Sequence, residues 1–145
     1  MTKYPMPFTV QARSESGIQT AWATSASVEL GDIKMAIPPE FEGPGTGFSP
    51  EDLFAMALQN CYVATFKVFA EKSRLQFKDI QVKTVLEVDR DDKGRPWMAR
   101  AHFTITLSGA NQQENARRIL ERTSQNCMIL NSVNTSKTFD YQVVD

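Results

Sequence analysis

The chain has 145 residues, the size of one domain with a real core, and 41% of them are apolar. Its 16 basic and 17 acidic side chains leave a net charge of −1, without the positive footprint of a nucleic-acid binder. Two cysteines and one histidine, far apart, are too few for a zinc signature, so neither a metal nor a cofactor is expected.

From Met1 to Phe8 there are two prolines and no apolar h-region, which does not read as a signal peptide. No apolar run reaches the roughly 18 residues of a membrane span. A cytoplasmic location without a membrane partner is therefore expected, where a structural disulfide is disfavoured but a transient catalytic one is allowed. Thr9 to Arg13 and Gln19 to Leu30 read as strands joined at the Glu15-Ser16-Gly17 turn, and Lys34 to Ile37 adds a short third. Pro38 to Gly47 reads as a loop rich in proline and glycine. Its glycines lack the Lys and Ser/Thr of a phosphate-binding loop, and Pro44 removes an amide donor, so it reads as a flexible connector.

Ser49-Pro50-Glu51-Asp52 starts a helix: a capping serine, a proline suited to the first turn, and two acids at the positive end of the dipole. The helix should run to about Lys72. Its apolar residues, among them Leu53, Phe54, Leu58, Val63, Phe66, Val68 and Phe69, cover nearly every face. One short chain has little spare structure to bury such a helix, which points to a partner subunit. Ile80, Val82, Thr84, Leu86 and Val88 alternate on one strand. Trp97, Ala99, Ala101, Phe103, Ile105 and Leu107 alternate on the next, and Asp91-Asp92-Lys93-Gly94 turns the two into a hairpin. His102 falls on the polar face with Arg100 and Thr104, which suits a surface histidine better than a catalytic one.

Asn111-x-x-Glu114 has the spacing of a capping box for a second helix. Ala116, Ile119, Leu120, Cys127 and Leu130 share its inner face, and Arg117, Arg118 and Arg122 mark its solvent side. Phe139, Tyr141 and Val143 alternate in a last strand. The order of strands, long helix, hairpin, helix and strand predicts an α+β domain spanning 1–145.

The remaining chemistry is that of two thiols. Both cysteines suit the role of small buried hydrophobes. They also suit redox work, in which the thiolate reacts. Cys127 lies near a helix C-terminus, where the dipole disfavours negative charge. Cys61 is therefore the better nucleophile and Cys127 the better resolving partner.

The stretch Gly47-Phe48-Ser49-Pro50-Glu51-Asp52-Leu53-Phe54-Ala55 through Cys61 resembles the G-T-N-P-E-x-L-x-A-A-x-x-A-C signature of the OsmC/Ohr family. These are the osmotically inducible and organic hydroperoxide resistance proteins. The interval from Cys61 to Cys127 and the ending Asp140-Tyr141-Gln142-Val143 are similar too, so the resemblance covers roughly residues 8 to 144. It implies an OsmC-like fold, with antiparallel sheets packed around a long central helix in an intertwined homodimer. It implies a thiol peroxidase in which Cys61 attacks an organic hydroperoxide, Cys127 resolves the sulfenic acid as a disulfide, and Glu51 holds an activating arginine. A dithiol reductant such as a lipoylated protein would regenerate it. The alternative on the same scaffold is a non-catalytic protein binding a small apolar molecule in the interfacial cleft. Phe54, Leu58, Phe66, Met128, Ile129 and Leu130 are expected to wall the cleft. Two departures stand out. Met128 follows the second cysteine where the family usually has proline, and Glu40-Phe41-Glu42-Gly43 carries an acid where one family branch has its arginine. Arg13, near the first hairpin where the other branch places it, is the candidate cation.

Overall fold

The computed structural model describes residues 3–27 and 29–145. Its contacts fall into two compact units, the first ending at Leu53 and the second beginning at Phe54.

The first unit is a three-stranded antiparallel sheet of β1 (Gln11–Arg13), β2 (Trp22–Ser25) and β3 (Asp32–Met35), in that order. β2 is shorter than expected because a turn takes up its start. The Thr20 amide donates to the Gly17 carbonyl at 3.1 Å and the Thr20 hydroxyl to the Ser16 carbonyl at 3.0 Å. Val28, expected within this strand, lies outside the described residues. β3 stops at Met35, where the chain instead pairs with Phe48: the Ala36 amide donates to the Phe48 carbonyl and the Phe48 amide to the Lys34 carbonyl. The segment between is not a free connector, contrary to expectation. It contains a 3-10 turn (Pro39–Phe41), and the Gly45 amide donates back to the Ile37 carbonyl at 3.1 Å. Gly43 is required there, since a β-carbon would meet the Ile37 carbonyl oxygen at 2.0 Å.

Helix α1 (Pro50–Lys72) begins as its residues predict. Ser49 Oγ accepts the Asp52 amide and Asp52 Oδ2 accepts the Ser49 amide, each at 3.0 Å, a capping box with aspartate in the usual glutamate position. In composition α1 is long and apolar enough to cross a membrane, which the sequence reading did not anticipate. Its inner stripe is nevertheless part of a protein core. Leu58, Tyr62, Phe66 and Ala70, one per turn, are almost fully buried. The other apolar positions are not: Val68 is 48% exposed and most of the rest are only half-buried. Within one chain the helix is thus covered along one stripe rather than on most sides.

The second unit packs that stripe on a sheet of β4 (Asp79–Arg90), β5 (Pro96–Ser108) and β6 (Ser136–Val144). β4 and β5 form the expected hairpin. A register shift at Glu87/Val88 breaks the alternation, so Val88 and Trp97 are each 40% exposed instead of joining the core. β6 pairs with β5 in parallel, so this sheet is mixed and not antiparallel throughout. The cause is the crossover through α2 (Gln113–Asn126) and the single turn α3 (Met128–Asn131). The expected box at the start of α2 is absent: Gln112 is the N-cap, and Asn111 Oδ1 instead accepts the Gln76 amide at 3.1 Å. The α2 side of the core is Ala116, Ile119, Leu120 and Thr123, as spaced, with Thr123 the one polar member. Phe139 stacks between Phe103 and Tyr141, with ring centres 5.0 and 6.1 Å away. Tyr62, absent from the expected core, is fully buried because its hydroxyl donates to the Leu120 carbonyl at 2.8 Å.

Candidate active site

Both thiols lie in the second unit, Cys127 inside its buried core cluster and Cys61 packed against that cluster. Cys61 sits mid-helix on α1 and is partly accessible, whereas Cys127 is fully buried. Cys127 is the joint between α2 and α3, with extended backbone (φ −81, ψ 120) that breaks one helix and starts the next. This turn aims its side chain inward. Its Sγ donates to the Thr123 carbonyl at 3.1 Å. Both cysteines are free thiols.

The environment of Cys127 is set by burial. Burial pushes the Cys127 thiol up to about 11, with a smaller contribution from the neighbouring Cys61, while the Thr65 hydroxyl pulls the other way. Cys127 therefore keeps its proton at neutral pH. Two phenols share the environment. Burial raises Tyr62 and Tyr141, and Cys127 adds to both shifts.

The other expected site residues are placed as follows. Leu58, Phe66 and Leu130 are fully buried in the core and Phe54 packs against it. Met128 and Ile129, on α3 beside Cys127, are 76% and 39% exposed. Glu51 lies in the first turn of α1, with Oε1 buried and without a hydrogen-bond partner among the described residues. Arg13 is exposed on β1, and among the described residues it makes no ion pair with Glu51 or any other carboxylate. Across the sheet it aligns with Ala23 and then Lys34. His102 stays on the outer face, bonded to Thr138 at 2.5 Å and Asp140 at 3.1 Å. The sequence reading missed the bond from Cys127 to the Thr123 carbonyl, one turn earlier on α2, while the Thr123 hydroxyl itself donates to the Ile119 carbonyl at 2.7 Å.

Comparison with known proteins gives this arrangement its family. The family profile described as OsmC-like protein matches residues 43–142, so the chain belongs to the OsmC-like family. It is 32% identical over 60 residues to YmaD of Bacillus subtilis, a stretch spanning 40% of this chain and 40% of that protein. Its fold is similar to the OsmC-like protein VCA0330 of Vibrio cholerae, with a TM-score of 0.81 and 17% identity over 94% of this chain and 99% of that one. It is also similar to an organic hydroperoxide resistance protein OsmC from Legionella pneumophila, with a TM-score of 0.72 and 17% identity over 95% and 98% of the two chains. The α+β fold is that of the OsmC/Ohr family.

Proposed function

We propose that this protein is a cysteine-based thiol peroxidase that reduces organic hydroperoxides in the cytoplasm, working as a homodimer. The observation that carries this reading is the accessible Cys61 set beside the buried, protonated Cys127. Membership of the OsmC-like family, and the name borne by the Legionella relative, support it.

The Cys61 thiolate attacks the outer peroxide oxygen. The O–O bond breaks, the alcohol leaves with a proton, and Cys61 becomes a sulfenic acid. The Cys127 sulfur then attacks the Cys61 sulfur, the S–O bond breaks, and water leaves with the Cys127 proton. An external dithiol, for which a lipoylated protein has the chemistry, reduces the disulfide and restores both thiols. Phe54, Met128 and Ile129 supply the accessible apolar surface that receives the organic group, while Leu58, Phe66 and Leu130, expected to share it, are fully buried in the core.

Glu51 and Cys61 share one helix and lie about 15 Å apart at 1.5 Å per residue. If both serve one site, each site takes them from different subunits. The buried Glu51 oxygen without a partner is suited to hold a cation there, and Arg13 is the candidate. Cys61→Ser should abolish consumption of cumene hydroperoxide, and Cys127→Ser should retain one turnover and then over-oxidise. Equal consumption by the two variants would refute the assignment. The second reading, a non-catalytic binder of a small apolar molecule, is favoured by the absence of an Arg13–Glu51 pair. It predicts that wild type and Cys61→Ser bind an apolar fluorescent probe alike and that neither consumes peroxide.

A further inference from the structure

We propose that the polar face of the first sheet binds a small oxyanion, a carboxylate or a phosphate, between Arg13 and Lys34. The site does not depend on the reading of Cys61 and Cys127. Residues directly opposite one another on neighbouring strands share one face of the sheet. Arg13 on β1 is opposite Ala23 on β2, and Ala23 is opposite Lys34 on β3. The two cations therefore stand on the same face, both exposed, with a single methyl group between them. Neighbouring strands lie about 4.8 Å apart, so the two α-carbons are about 10 Å apart, and both side chains are long enough to close on one anion.

The shape of the site follows from residue size. Ala21, Ala23 and Ser25 recur at every second position, so the middle of this face is a floor of small side chains between the longer ones of β1 and β3. The result is a hollow of about 490 Å³ that takes in Arg13, Ala23 and Lys34. A second hollow of about 270 Å³ continues it and shares Arg13 and Ala23. Each hollow contains one acid, Glu15 in the first and Asp32 in the second. Among the described residues neither acid forms an ion pair with Arg13 or Lys34. Two like charges are thus left facing each other across β2, in a concavity that concentrates their field. An oxyanion between them relieves the repulsion and accepts charge-assisted hydrogen bonds from both. The guanidinium brings the forked geometry that suits a carboxylate or a phosphate.

NMR spectra of the full chain, titrated at constant ionic strength with inorganic phosphate, acetate or chloride, test this. Phosphate or acetate should shift the backbone signals of Ala23 and Lys34 and the Arg13 Nε–H signal together and saturably, and chloride should not. Tighter binding of phosphate assigns a phosphate ester as the ligand class, and tighter binding of acetate a carboxylic acid. Lys34→Gln removes one cation, and Ala23→Leu fills the floor at unchanged charge. Each should weaken binding about tenfold, the scale of one lost bond to a charged group, while Lys34→Arg should retain it. The absence of a saturable shift with either oxyanion would overturn the site. So would equal shifts with chloride, or unaltered binding in Lys34→Gln or Ala23→Leu.

Discussion

The thiol of Cys127 points back along its own chain to the carbonyl of Thr123, 3.1 Å away. That bond spans the end of α2, where the helix leaves its last carbonyls without amide partners. A cysteine at this joint satisfies the backbone and is presented to Cys61 by the same turn. The local need of a helix end and the placement of a resolving thiol are met by one side chain.

This arrangement makes stability depend on alkaline pH. The folded thiol at about 11 lies above its ordinary value of 9.0. A raised folded value means that the native state holds the proton more tightly than the unfolded chain. The stabilisation is complete below about pH 9 and is lost as pH rises through about 11, at roughly 1.4 kcal/mol for each unit of difference. Tyr62 and Tyr141 act in the same direction, with raised values of their own. Cys127→Ala should therefore show a shallower fall in Tm between pH 9 and 11 than wild type, with the tyrosine share remaining. Parallel curves would contradict the raised value.

Tyr62 links α1 to α2 through its bond to the Leu120 carbonyl, at full burial. Tyr62→Phe keeps the ring and loses the bond, and should cost about 1 kcal/mol. Tyr62→Ala should cost about 3–5 kcal/mol, because the cavity adds to the lost burial. Urea unfolding of the two variants checks the ordering.

The reciprocal bonds of Ser49 and Asp52 fix the first turn of α1, and with it the position of Glu51. Ser49→Ala should lower stability by about 1 kcal/mol, and Ser49→Asp should recover part of it. Thermal unfolding followed by circular dichroism separates the two.

Assembly is checked by sedimentation. Val68 on α1 and Met128 beside Cys127 are 48% and 76% exposed in the single chain. An intertwined dimer would cover such positions, and the chain should sediment as a dimer at micromolar concentration. A folded monomer under those conditions would contradict the shared sites.

Much of the fold was legible because it rests on short-range patterns. The Ser49-Pro50-Glu51-Asp52 start, the alternation from Ala99 to Leu107 and the inner face of α2 each follow from local spacing. Elements set by distant partners were not legible. Asn111 has the chemistry to cap α2, but bonding with Gln76 takes it away. The parallel direction of β6 depends on the crossover and not on its own alternation. Gly43 looked like part of a loose loop, because its close contact with Ile37 is made only once the chain folds back. At the site, the expected roles of the two cysteines rested on the place of Cys127 near a helix C-terminus, and the structure bears out that place. The bond from Cys127 to the Thr123 carbonyl was hidden, because it forms only where the break between α2 and α3 turns that side chain back on its own helix.

The central claim is that Cys61 and Cys127 act as one redox pair, and peptide mass mapping tests it directly. Wild-type protein is treated with one equivalent of cumene hydroperoxide, alkylated and digested. The account predicts a linked peptide joining Cys61 to Cys127, a loss of two hydrogens per chain, and reversal by a dithiol. Oxygen addition at Cys61 without a link, or two alkylated thiols that peroxide leaves untouched, would contradict it.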